Sequence, residues 1–472
     1  MATISPALLH SIGNRLFKYM YKNPKRNMLR IVKVAKFAAS SVYPKSTFEK
    51  PIEIITDENN IWHKYLFEGI ERLDRESFTN LALTFGIDAG YIGTTTLRKK
   101  RDELKINIPW VILMDPTSAC NLKCKGCWAA EYGHKSNLTL DEMRKVIREA
   151  KELGTHFFMF TGGEPLTRKK DLLTLVSENR DCIFLAFTNG TLVDDKFCED
   201  MKKAGNLALA LSVEGSEETT DARRGEGVYA QVISAMKTLK KHKCIFGTSV
   251  CYTSQNYEAV TSDEFYDMEI ENGAIFSWYF HYMPIGSDAD TNLLLTPEQR
   301  EYVYTTIRAK RDSKNGKPIF TVDFQNDGEF VGGCIAGGRN YFHVNSEGDV
   351  EPCVFIHYSD SNIREKSVLE CLRSPLFKEY YKGQPFNDNM LRPCPMLENP
   401  EALVKIVNKT GAKSTNLTCP ESAEELCAKC AHYAEHWAPK AKEIWEEKER
   451  FHPFTQYYRD TPEGKAELAK TE

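Results

Sequence analysis

Three cysteines stand in the run Cys120-Asn-Leu-Lys-Cys124-Lys-Gly-Cys127-Trp128, a C-x3-C-x2-C spacing that puts three thiols in one loop. A fully protein-ligated [4Fe–4S] cluster takes four cysteines, so three leave one iron open. An open iron can be chelated by the amino and carboxylate groups of S-adenosylmethionine, with the sulfonium held where one electron breaks a carbon–sulfur bond. The competing chemistry is a structural zinc knot. Zinc wants four nitrogen or sulfur ligands, usually as C-x2–4-C pairs, and no nearby fourth residue pairs with these three.

A loop of this kind needs rigid elements on both sides. Apolar runs at 109–115, 156–161, 183–188, 207–213, 246–252 and 275–283 read as strands. Helix-like stretches at 140–153, 168–178, 194–204, 228–242 and 257–271 separate them, and 296–312 follows the last. That alternation predicts an α/β fold, a partial (β/α)6 TIM barrel with its chemistry at the C-terminal ends of the strands. The cysteine loop follows the first of these strands directly.

With the triad in this position, the chain resembles the radical S-adenosylmethionine superfamily, and further motifs follow in order. Thr161-Gly162-Gly163-Glu164-Pro165, closing the second strand, resembles the family's GGE motif, whose backbone binds the methionine amino group of the cofactor. Glycines there allow close backbone approach to a ligand. The resemblance makes Asn189 of Thr188-Asn189-Gly190, and Ser212 and Glu214 of Leu211-Ser212-Val213-Glu214-Gly215, further cofactor contacts at the barrel rim. Asp221-Ala-Arg-Arg224-Gly225 resembles the DxxRG stretch of close relatives, so Arg224 either meets the cofactor carboxylate or forms a structural ion pair. The resemblance also implies catalysis at Cys120, Cys124 and Cys127 and a reducing partner such as flavodoxin or ferredoxin.

A second cysteine set is ordered too. Cys334, thirteen residues, Gly348, four residues and Cys353 fit the C-x9–15-G-x4-C element of SPASM-type extensions, and YFHVNSEGDVEPC reads as a hairpin delivering a ligand. Cys394, Cys419, Cys427 and Cys430 follow, departing from the family's C-x2-C-x5-C-x3-C continuation. Six candidate metal ligands exceed one four-cysteine cluster and fall short of two, so at least one auxiliary [4Fe–4S] cluster is expected, with a zinc site as the alternative. Cys182, Cys198, Cys244, Cys251 and Cys371 read as small core residues, Cys251 being the one near a strand end. On the sixth strand either Tyr279 and His281 or Trp278 and Tyr282 face the cavity.

Composition bounds the rest. The 472 residues are 42% hydrophobic and 27% charged, without an apolar run long enough to span a bilayer. Fourteen cysteines without a signal-peptide layout predict reduced thiols, some metal-bound, in a cytoplasmic protein. The net charge of −4 hides an asymmetry: residues 1–50 hold ten Lys/Arg against the single acid Glu49. Residues 8–43, broken at Asn23-Pro24, read as two basic amphipathic helices suited to an anionic membrane surface or to packing on the body; no nucleic-acid partner is expected.

The expected organisation is a basic helical segment at 1–50, a helical connecting region at 51–106, the barrel at 107–320, a cysteine-rich, metal-held auxiliary domain at 321–436 and a charged helical tail at 437–472. The expected activity is reductive cleavage of the cofactor and hydrogen abstraction from an unactivated carbon. A membrane-lipid hydrocarbon chain is favoured as substrate, on the strength of the basic segment, and would put the protein on the inner face of the membrane. Peptide or protein modification and a non-catalytic iron–sulfur or zinc scaffold are the alternatives.

Overall fold

The computed structural model describes residues 5–38, 45–286 and 288–447. Nine strands form its main sheet: β1 (Val111–Met114), β2 (Phe157–Phe160), β3 (Ile183–Thr188), β4 (Leu207–Ser212), β5 (Phe246–Tyr252), β6 (Phe276–His281), β7 (Phe320–Asp323), β8 (Tyr341–Val344) and β9 (Val350–Glu351). Their order is β7-β6-β5-β4-β3-β2-β1-β8-β9. The first eight run parallel and β9 returns antiparallel on β8. Each of the six strand runs read from the sequence contains one of β1–β6.

Two further parallel strands extend the predicted six. β7 lies just past the last helix of the run, and β8 comes from the cysteine-rich segment, in register Val111↔Tyr341 with β1. The sheet curls until its parallel edges approach, for the ring of Phe324, next after β7, lies 6.1 Å from that of Tyr341 on β8. Both strands are only four residues long, too short for a period to stand out in the sequence, and β8 is buried on both faces without alternation.

Local signals account for the helices between. Thr139 with Glu142 and Thr296 with Gln299 form capping boxes at the starts of helices Leu140–Leu153 and Pro297–Lys310. The expectation that metal ligation substitutes for an apolar core after residue 320 is corrected: Leu376, Phe377, Met396, Leu397, Leu403 and Trp437 are buried in one continuous core with the barrel. A buried ion pair joins the two regions, with Arg300 Nη1 2.7 Å from Glu398 Oε1. The final described helix, Ala423–Glu447, runs through residue 436, where a boundary was expected, and residues 448–472 lie outside the described residues.

The N-terminal quarter has a placement no sequence pattern announces. Helices α1 (Pro6–Met20) and α2 (Pro24–Ala38) are the two expected at the Asn23-Pro24 break. Residues 61–104 then form a helical collar under the N-terminal ends of the barrel strands. Tyr65 donates to Ile275 O ahead of β6 (2.8 Å), Asp74 N donates to Lys243 O ahead of β5 (3.0 Å), and Thr84 donates to Arg180 O ahead of β3 (3.4 Å). Gly93 lies against Gly154 and His156 ahead of β2, and Trp110, ahead of β1, donates Nε1 to Ala89 O at 3.4 Å.

Candidate active site

The cysteine loop is pinned to the turn after β2 by main-chain hydrogen bonds. Gly163 N donates to Thr117 O at 2.9 Å and Glu164 N to Ala119 O at 2.8 Å. The glycines are explained by this crowding. Gly162 has φ +101° and an added Cβ would meet Thr117 O at 2.5 Å, while one on Gly163 would collide with Ala119 O. The close approach expected for a ligand is thus spent, at these two positions, on the cysteine loop itself. On its far side Lys125 N donates to Arg223 O at 2.8 Å, and Gly126 turns at φ +62° with Tyr282 directly above it.

All three loop thiols are half-buried and face a cavity of about 640 Å³ enclosed by the barrel. Gly162, Gly163, Glu164, Asn189, Ser212 and Arg224 line it as expected from the motifs. Glu164, however, has its carboxylate turned into its own turn: Oε1 accepts from Thr188 Oγ1 (2.7 Å) and Leu166 N (2.9 Å), and Oε2 from Asn189 N (2.8 Å). Burial pushes its carboxyl up against the pull of these donors.

Glu214 departs from its expected role. It is completely buried beneath the cavity wall, where Oε1 accepts from Arg223 Nη1 at 2.5 Å and from Arg224 Nε at 2.9 Å, and Oε2 from Cys251 N at 3.0 Å. Burial pushes this carboxyl up, but the two guanidiniums outweigh it and hold it below the usual carboxylate range. Of the two readings of Arg224, the structure supplies the ion pair, with Nη1 also 3.9 Å from Cys124 Sγ. Arg223, which the sequence left unremarked beside Arg224, lines the same wall.

The sixth strand resolves its alternatives. Tyr279 donates to Val260 O at 2.6 Å and His281 packs on Tyr252 and Tyr433, away from the lumen, whereas the rings of Trp278 and Phe280 meet Phe187 and Tyr282 stands over Gly126. Trp278 and Phe280 close with Phe187 over the lumen, their rings 5.5 and 6.0 Å from it. Cys251, expected as a core residue, lines the cavity beside Arg223; Cys182, Cys198, Cys244 and Cys371 are buried as expected.

The second cysteine set is enclosed. Cys353, Cys427 and Cys430 are buried, and Cys334, Cys394 and Cys419 half-buried. The hydroxyl of Tyr341 lies 2.7 Å from Cys353 Sγ. Tyr380 is fully buried, its hydroxyl has no hydrogen-bond partner among the described residues, and burial together with the charges of Cys334, Cys353, Cys394 and Cys427 pushes its phenol well above the usual range. A buried orphan hydroxyl in this cysteine-rich region fits a group whose sulfurs accept hydrogen bonds. Cys430 lies one helical turn from Cys427, and Cys419 in the loop ahead of that helix.

Trp128 connects the two sites. It follows Cys127 directly, and its ring lies 6.3 Å from Phe355, 5.9 Å from His343 and 6.0 Å from His357. His343 is wholly buried between Asp115 Oδ1 (2.9 Å) and Glu351 Oε2 (2.6 Å). Burial opposes its charge, but the two carboxylates prevail and push the imidazolium up to about 10. Tyr132 adds a hydrogen bond to Glu351 at 2.8 Å. Trp128, His343 and Glu351 stand inside the two cysteine segments, but only the folded chain brings them together with Asp115 and Tyr132.

Known proteins share this arrangement. Residues 114–263 match the Radical SAM superfamily, and residues 334–396 match the SPASM family, an iron-sulfur cluster-binding domain. An AdoMet-dependent heme synthase of Methanosarcina barkeri is 28% identical over 56% of this chain and 82% of its own length. A PqqA peptide cyclase of Granulibacter bethesdensis is 25% identical over 61% of this chain and 79% of its own. The crystal structure of Streptococcus suis SuiB bound to S-adenosylmethionine superposes with a TM-score of 0.52 at 22% identity, covering 73% of this chain and 84% of that one.

Fold, thiol sites and comparisons together define a radical-forming iron–sulfur enzyme. The chain carries a radical S-adenosylmethionine domain over residues 114–263 and a SPASM-type iron–sulfur domain over residues 334–396. Its cofactors are a [4Fe–4S] cluster with S-adenosylmethionine and auxiliary iron–sulfur.

Proposed function

We propose that Cys120, Cys124 and Cys127 hold the cluster that carries S-adenosylmethionine, that Cys334, Cys353, Cys394 and Cys427 hold an auxiliary cluster with Cys419 and Cys430 beside it, and that the radical is aimed at a hydrocarbon part of the substrate. When bound, the open cluster would supply reductive cleavage of S-adenosylmethionine and, through it, hydrogen abstraction from an unactivated carbon. A one-electron donor of the flavodoxin or ferredoxin class supplies the reduction.

The observation that carries the hydrocarbon reading is the lumen. Most of its polar groups, Asn189, Ser212, Arg223 and Arg224 among them, gather beside the cysteine loop, where the cofactor would take them up, and Asn340 lines the opposite end. Below them the walls are Leu113, Phe157, Met159, Phe187, Trp278 and Phe280. These side chains exclude water and give an apolar chain contact, with the indole N–H of Trp278 as their one hydrogen-bond donor, surroundings that favour a hydrocarbon over a polar substrate. Arg223 and Arg224 share the single carboxylate of Glu214, so one positive charge remains on that wall, on the cofactor's side of the lumen.

Peptide modification is the second reading. It is supported by the relative that acts on the PqqA peptide and by the fold shared with SuiB, which has been seen bound to a precursor peptide. The test separates the two. The reconstituted, anaerobic enzyme is given phospholipids with perdeuterated acyl chains, and 5′-deoxyadenosine is weighed by mass spectrometry. Deuterium in the product supports the hydrocarbon reading; unlabelled product alongside active cofactor cleavage rejects it and leaves the peptide.

A further inference from the structure

The lumen does not end at the cofactor. On the side away from the cysteine loop it reaches Trp110, Val111, Phe157 and Tyr341, which stand at the N-terminal ends of β1, β2 and β8. The floor of the barrel is ringed with aromatic residues around its open seam: Trp110, Phe157 and Tyr341, together with Phe276 and Phe320 opening β6 and β7 in register with one another. Phe320 is 52% exposed. The ring of Phe157 lies 5.5 Å from that of Trp110, and the ring of Trp110 lies 5.6 Å from Phe85, itself 51% exposed on the π-helical stretch Thr84–Gly93. A continuous file of aromatic side chains therefore joins the lumen to the protein surface at the floor.

The basic helices sit at that end. Helix α1 runs along the π-helical stretch, with His10 Nε2 2.8 Å from Asp88 Oδ2 and Gly13 pressed against Leu83 and Ile87. Its outer face shows Leu8 (52% exposed) and Ile12 (43%), and α2 shows Val34 (60%). Around these lie Arg15, Lys18, Arg26, Arg30 and Lys33, none of them paired with a carboxylate among the described residues. Exposed apolar side chains set among unneutralised cations match an anionic bilayer surface, whose headgroups attract the cations and whose interface accepts the apolar side chains.

We propose that the barrel floor is a second mouth of the lumen, that α1 and α2 seat it on an anionic phospholipid surface, and that an acyl chain enters past Phe85 and Trp110, opposite the end that holds the cofactor. The proposal rests on the hydrocarbon reading of the lumen and adds to it a membrane face and a direction of entry. A chain arriving from below meets the radical site tip first, while its headgroup stays with the collar residues and never has to cross the apolar lumen. The charged headgroup thus keeps its hydration, as its desolvation cost requires.

The experiment uses the full reconstituted chain. Sedimentation with vesicles of phosphatidylcholine alone is compared with vesicles containing phosphatidylglycerol, and a phosphatidylglycerol with a diazirine in its acyl chain is photolysed and the labelled peptides mapped. Binding is expected only with phosphatidylglycerol, to weaken as salt rises, and to fall at least about tenfold in Leu8→Glu/Ile12→Glu, whose cofactor cleavage without substrate stays at the wild-type rate. Labels are expected on the peptides holding Phe85, Trp110 and Phe157. Equal binding to both vesicle types, no binding, or labels confined to Tyr282, Ile285, Asp290 and Leu293 beside the cysteine loop would overturn the proposal. Deuterium transfer from acyl chains combined with labels at the cysteine-loop end keeps the hydrocarbon reading and rejects the floor entrance. Floor labels without deuterium transfer keep the docking face and reject the hydrocarbon reading.

Discussion

The two thiol sites are built on opposite plans. Cys120, Cys124 and Cys127 sit on a loop, half-buried, with their side chains toward a cavity, and the loop is held by main-chain hydrogen bonds from the turn after β2. The auxiliary cysteines come from four separate stretches of chain and are packed among Tyr341, Tyr380 and the core. A site that must admit a small molecule needs open space next to rigid donors. A site that stores or passes an electron needs enclosure and tuned hydrogen bonds to sulfur. Trp128 and the Asp115–His343–Glu351 cluster hold the two together.

The comparison breaks most completely at the loop. Cys124→Ala should abolish 5′-deoxyadenosine formation and remove about four irons per chain while leaving the auxiliary spectrum intact; iron counting and electron paramagnetic resonance on the reconstituted protein check it. Loss of both signals would mean that the sites assemble as one.

The next largest effect concerns the wall of the open site. Glu214→Ala strands two buried guanidiniums and should cost about 3–5 kcal/mol, seen as a lowered denaturation midpoint of the apoprotein, with Glu214→Gln in between. Gly163→Ala forces Ala119 O away and should displace the cysteine loop. The expected outcome is reduced iron at the open site with the auxiliary iron retained.

A pH scan probes the connection between the sites. His343 is held up to about 10 in the fold against about 6.5 in an unfolded chain, so its contribution is complete below about pH 6.5 and is lost as pH rises toward 10. The apoprotein should therefore melt lower at pH 9 than at pH 6.5, and His343→Gln should flatten that slope. An unchanged slope in the variant would remove His343 from the account.

The smallest effect sharpens the enclosed site. Tyr380→Phe removes one hydroxyl without changing shape, and loss of a hydrogen bond to sulfur should lower the auxiliary reduction potential by an amount on the order of tens of millivolts, the equivalent of ~1 kcal/mol. Redox titration followed by electron paramagnetic resonance reads it directly. The open-site signal serves as the internal control.

The sequence by itself determined the chemistry. Three cysteines at fixed spacing after an apolar run, then Gly162-Gly163-Glu164 after the next, specify the cofactor pair, because local spacing sets which donors can reach one cluster. It also located six strands and the two basic helices, whose periodicities are written in consecutive residues. Tertiary structure alone decided the rest. Alternation along β6 limits the inward set to one of two, but only packing against Phe187 shows that Trp278 and Phe280 face in. The pairing of Glu214 with Arg223 and Arg224, the orphan hydroxyl of Tyr380, the entry of β8 into the barrel sheet and the collar beneath the floor all join residues distant in the chain. Such contacts leave no periodic trace, since each depends on where two elements meet in space.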